Sequence, residues 1–209
     1  MKNFYIQISL ILVILVFQGC KTSKGTENSI VRQAIILQSE VIHDPLFYKI
    51  LMELESEGTV DWQPSAFSRV EKDLNQRSNN TKWILDKYMG EGGYNENTVL
   101  LWRKWNPWSS TTAVTNTCGK TTKLNKWKLD RDKYSIVNTL IHERAHSFCL
   151  IHPELQTRDA NKCDISYLAG DLSEILALKQ NGINSRKMDK PLCPALVEKI
   201  KDYNLIELQ

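Results

Sequence analysis

This chain has no block of basic residues, no internal repeat, no low-complexity linker and only four histidines in its 209 residues. With 27 basic against 24 acidic residues and no basic block, it lacks the electrostatic footprint of nucleic-acid binding, and no nucleic-acid partner is expected. The missing repeat argues against a stacked solenoid. Without a linker, the chain reads as one domain beyond its leader. Nor is there an apolar run long enough for a comfortable membrane span. The longest, residues 10–17, follows mostly apolar residues from Phe4 and has the length of a signal-peptide core.

The scarce histidines are concentrated. Three fall in one eleven-residue window, His142-Glu143-Arg144-Ala145-His146-Ser147-Phe148-Cys149-Leu150-Ile151-His152. His142 and His146 are four residues apart, so on a helix they share a face and can chelate one metal ion. Glu143 stands one step around the helix, within reach of a metal-bound water without being a ligand. Asp132 or Ser135 can cap this helix, and Ile136, Val137, Leu140, Ile141, Ala145 and Phe148 form its apolar stripe. A straight helix would carry His152 about 15 Å from His142 along the axis. For His152 to join the other two, the chain must leave the helix and double back. Pro153 favours this, because it pushes His152 out of helical dihedrals.

The window resembles the HExxHxxGxxH motif of the metzincin metallopeptidases, with Cys149 where that family has its turning glycine. The resemblance implies an α+β domain: N-terminal helices, a small mixed sheet, a zinc-binding active-site helix and a C-terminal helical subdomain. It also implies one Zn²⁺ held by His142, His146 and His152, and hydrolysis of peptide bonds by a zinc-bound water that Glu143 activates. A left-handed Cys149 would cost about 1–2 kcal/mol unless a neighbour takes the turn or a disulfide holds it. In such folds an edge strand above the metal can hold an extended peptide. Which strand that is here cannot be read from the sequence. Glu174 is the alternative third ligand, as in HExxH enzymes that recruit a glutamate from a later helix. Its competing role is a capping box with Asp171, opening a helix that ends near residues 181–182. Met188 is a candidate for the methionine turn of metzincins, in a charged, loop-like setting. Tyr167 is a candidate donor to an oxyanion, with packing as its ordinary role. Asp164 or Asp171 can orient a ligand histidine.

The leader points to an exported protein. Phe17-Gln18-Gly19-Cys20 resembles a bacterial lipobox, which implies cleavage before Cys20, lipid on its sulfur and membrane attachment. Lys21 in place of aspartate favours the outer membrane, where the cell has one. The leader contains Lys2 and no acid, so the mature chain would hold 26 basic and 24 acidic residues, a net charge of +2. Four cysteines remain beyond Cys20: Cys118, Cys149, Cys163 and Cys193. In an exported protein they read as two disulfides with three possible pairings, of which Cys163 with Cys193 is preferred.

Residues 1–19 thus read as the signal peptide, 20–28 as the lipidated cysteine and a polar tether, and 29–209 as the domain. Helices are expected over 30–38, from Asp44-Pro45 with Leu46, Phe47, Ile50, Leu51 and Leu54 inward, and over 65–88 with a break near 79–80. Strands are expected over 98–102, 111–117 and 121–127, and a last helix from Pro194 to about Tyr203. Trp102, Trp105 and Trp108 are expected to pack around a strand and its loop, with a substrate groove or partner surface as the alternative. His43 is read as structural. The expected activity is zinc-dependent peptide hydrolysis in the bacterial cell envelope. The alternatives are a lipid-anchored zinc-containing binding or adhesion protein without catalysis, and a zinc hydrolase of cell-wall amide bonds.

Overall fold

A computed structural model describes residues 22–61, 80–152 and 157–209. The leader, Cys20, Pro153 and residues 65–79 of the expected third helix lie outside the described residues. None of the described helices is long and apolar enough to cross a membrane.

Two capped helices come first. In α1 (Ser29–Ile42) the Asn28 side chain accepts from the Ile30 and Val31 amides, and Val31, Ala34, Ile35, Val41 and Ile42 face the core. It runs a turn beyond the expected end because apolar residues continue at helical spacing. Asp44 caps α2 (Pro45–Ser56), with proline in the first turn and Phe47, Ile50, Leu51 and Leu54 buried as expected, while Leu46 is only partly buried. The described part of the next expected helix is α3 (Asn80–Glu91), which buries Trp83, Ile84, Leu85 and Tyr88; the expected break near 79–80 lies at the edge of the described residues.

The sheet contains β1 (Ser23–Lys24), β2 (Val99–Trp102), β3 (Ala113–Thr115) and β4 (Thr122–Asn125), in the order β1-β2-β4-β3. It is mixed: β2 and β4 are parallel, and the outer strands pair antiparallel. All three expected strands form, but shorter. The last one stops because the Asn125 side chain accepts from the Trp127 amide and turns the chain into a short 3-10 helix, Lys126–Lys128. Residues 23–24, within the stretch read as a tether, pair with β2, and Gly25 lies so close to Val99 that a Cβ would come within 2.7 Å of its Cγ1.

Helix α4 (Lys133–Ser147) carries the histidine window and lies against α5 (Ile165–Gln180). Asp132 caps α4, and every residue of its expected apolar stripe is buried. At Gly170 the two helices approach so closely that a Cβ would lie 2.9 Å from the Asn138 carbonyl oxygen and 3.3 Å from the His142 Cβ. The last elements are β5 (Ser185–Arg186), α6 (Pro194–Asp202) and β6 (Glu207–Leu208), which pairs parallel with β5. One hydrophobic core runs from α1 to α6, so the fold is a single α+β domain with a small mixed sheet.

One boundary is corrected. The helix expected to open at Asp171 opens at Ile165, because Asp164 is its cap, accepting from the Ser166 and Tyr167 amides. Asp171 and Glu174 are therefore not a capping box. They are buried acids in mid-helix, and their partners come from elsewhere in the chain. Two disulfides form, Cys163–Cys193 as preferred and Cys118–Cys149.

Candidate metal centre

The site is built by the end of α4. Its last turn closes with Leu150 N–H donating to the Ala145 carbonyl and Cys149 N–H to that of His146. These are the two bonds of a Schellman motif, which needs a left-handed residue just past the helix. That residue is Cys149, at φ +74°. The turn does not shift to a neighbour, and the disulfide to Cys118, itself at φ +64°, ties it to the loop after β3. The Cys118 N–H also donates to the His146 carbonyl at 2.9 Å.

Having turned, the chain returns His152 to the helix face. His142, His146 and His152 each offer one ring nitrogen, and these lie within 4.8 Å of one another. Two of the rings are oriented by acceptors. His146 Nδ1–H donates to the Leu150 carbonyl at 2.8 Å, and His152 Nδ1–H donates to Asp164 Oδ2 at 2.6 Å. With each Nδ1 protonated, each Nε2 keeps a free lone pair. Burial holds His142 well below the ordinary histidine range and lowers His146, so both are neutral at neutral pH. The three imidazoles form a donor set that could hold a metal ion, and their nitrogens suit zinc.

Asp164 serves two elements. Its Oδ1 caps α5 while its Oδ2 holds His152. Asparagine would still cap, but it would offer His152 a neutral oxygen in place of a carboxylate. If the cluster holds a metal, Asp164→Asn is expected to weaken its binding about 10–100-fold with little loss of helix, and His152→Ala to weaken it further. Competition with a chromogenic chelator measures both: wild-type affinity in His152→Ala would remove His152 from the ligand set, and wild-type affinity in Asp164→Asn would deny Asp164 its positioning role.

Glu143 is nearly buried, and its Oε2 has no hydrogen-bond partner. Burial pushes its carboxyl up to about 7, against the lowering effect of the Thr115 hydroxyl. It lines a cavity of about 600 Å³ with the three histidines, Tyr167 and residues 110–115. The last of these include β3, which is an edge of the sheet. The Tyr94 hydroxyl donates to the Glu143 carbonyl at 3.0 Å and lies 3.1 Å from Thr115 Oγ1, joining the strand to the helix. The Tyr167 ring stacks on His152 with centroids 4.9 Å apart and lies 4.4 Å from that of His142.

Other expected residues fall elsewhere. Glu174 does not join the histidines. Its carboxylate accepts from Asn138 Nδ2 at 3.1 Å and Lys190 Nζ at 2.5 Å, and it pairs with Arg186. This corrects the alternative third ligand. Met188 packs partly buried against the core from the loop after β5. Trp105 and Trp108 are 92% and 88% exposed, contrary to the packing expected of them, whereas Trp102 lies on β2, half-buried. His43 caps the end of α1, its Nδ1 2.7 Å from the Ser39 carbonyl oxygen. The sequence pointed only weakly to Asp164 and not at all to Thr115, Arg131, Arg158 or Lys190. The last three bear no local pattern, since the chain brings them to the cavity from separate loops. No family model, curated protein or solved structure matches the chain.

Proposed function

We propose that this protein is a zinc-dependent peptidase of metzincin-like design, anchored in the bacterial cell envelope, with the outer membrane favoured, through lipid on Cys20. The observation that carries the reading is Glu143: a carboxyl oxygen without a partner, beside three histidines, in a cavity walled by an edge strand. A structural metal site has no use for such a group.

His142, His146 and His152 would hold the zinc. Bound there, zinc polarises a carbonyl as a Lewis acid and lowers the pKa of a water to about 7. Glu143 Oε2 accepts the proton of the attacking water and then delivers it to the departing amine. The Tyr167 hydroxyl, on a ring packed against two of the histidines, donates to the carbonyl oxygen as negative charge develops. Among the described residues strand β3 has one edge unpaired in the sheet, and it offers backbone groups to an extended peptide. Polar backbone contacts of this kind suit peptides of varied sequence.

The test is direct. The mature protein should hold one zinc per chain and cleave members of a broad peptide library, and its native N-terminus should begin at a lipid-modified Cys20 by mass spectrometry. Firm zinc binding with no cleavage of peptides or purified peptidoglycan would favour a non-catalytic binding protein. Cleavage of peptidoglycan alone would favour a cell-wall amidase.

A further inference from the structure

Three cationic side chains line the same cavity. Arg131, Arg158 and Lys190 line it together with the histidines. Arg158 and Lys190 converge on one buried carboxylate. Arg158 NH2 donates to Asp171 Oδ1 at 2.6 Å, and Lys190 Nζ lies 3.3 Å from the same oxygen. Arg158 also packs on the Tyr167 ring, its guanidinium carbon 4.6 Å from the centroid. Arg131 is different. Its NH1 donates to Thr139 Oγ1 at 2.8 Å, but its buried Nε and NH2 have no partner, and no carboxylate pairs with it among the described residues. The nearby acids, Asp171 and Glu174, are almost fully buried and do not line the cavity. Three cations thus face the cleft over two covered carboxylates. Arg186, which also touches Glu174, is matched by Asp132 at 2.6 Å. Buried guanidinium nitrogens without an acceptor are costly to maintain. A ligand oxygen that satisfied them would form charge-assisted bonds in a partly dry site.

We infer that Arg131, Arg158 and Lys190 form a carboxylate-binding subsite that selects substrates bearing an anionic group, from either an acidic side chain or a free C-terminus. This rests on the peptidase reading of the site and narrows its substrate class.

Calorimetry on the zinc-loaded Glu143→Ala protein, which keeps the cleft but lacks the base, tests this with four matched alanine–phenylalanine hexapeptides. They carry one internal Glu or Gln and end in a free acid or an amide. The carboxylate-bearing peptides are expected to bind about tenfold or more tightly than the Gln amide. Preference for the free acid assigns the subsite to a terminal carboxylate, and preference for Glu assigns it to a side chain. Arg131→Gln, which unpairs no acid, and Lys190→Gln should each cut the discrimination to about threefold or less. Equal binding of all four peptides, no binding by any, or discrimination that survives both substitutions would overturn the subsite. The comparison among peptides on the unsubstituted cleft decides the matter even if a variant fails to fold. Charge preference in binding without cleavage by the wild type would sink the peptidase reading alone. Cleavage with no charge preference would sink the subsite alone.

Discussion

Replacing Glu143 with alanine is expected to lower peptide turnover by about 10²–10⁴ while leaving zinc content and fold unchanged. The side chain lies between two histidines of one helix but belongs to neither their ring cluster nor any hydrogen bond through Oε2. Oε2 holds nothing in place and the contact with Thr115 is local, so the substitution should cost proton transfer and little stability. Glu143→Gln separates shape from chemistry: it keeps the volume and should fail as a base to the same degree. Zinc content, circular dichroism and turnover of a cleaved library peptide measure the three quantities. Zinc loss in both variants would make Glu143 part of the metal's support, and wild-type turnover would rule out the peptidase mechanism.

Breaking the Cys118–Cys149 bridge is expected to cost about 2–5 kcal/mol and to weaken zinc binding as well. The bridge spans 31 residues and pins the turn that returns His152. Two substitutions at Cys149 separate the bridge from the backbone. Cys149→Ala loses the bridge and keeps the left-handed cost at φ +74°. Cys149→Gly loses the bridge but relieves about 1–2 kcal/mol of that cost, less about 0.5–1 for the greater freedom of glycine in the unfolded chain. The glycine variant should therefore be more stable than the alanine variant by roughly 1 kcal/mol. Chemical denaturation of both, beside the oxidised and the reduced wild type, reads these differences. Equal stability of oxidised and reduced wild type would show that the bridge adds nothing. An alanine variant as stable as the glycine variant would show that the turn has moved off residue 149.

Short-range chemistry made much of this protein legible from its residues in order. The spacing of His142, Glu143 and His146 defines a helix face whatever surrounds it. The caps at Asn28, Asp44 and Asp132 bond to amides two or three residues away, and proline starts α2 and α6 locally. Elsewhere the local signal did not decide. The residues in order pointed to a helix start at Asp171, and packing decided for Asp164, because Asp171 and Glu174 could be buried once Arg158, Lys190 and Arg186 arrived from other segments to neutralise them. The same kind of packing places the third histidine. His152 was the expected third ligand and Glu174 the alternative; Glu174 is engaged by Lys190 and Asn138, while the turn at Cys149 and the carboxylate of Asp164 bring His152 to the other two. The cationic wall had no local trace at all. Its charges lie far apart along the chain, and only the folding of three loops around one cleft sets them side by side.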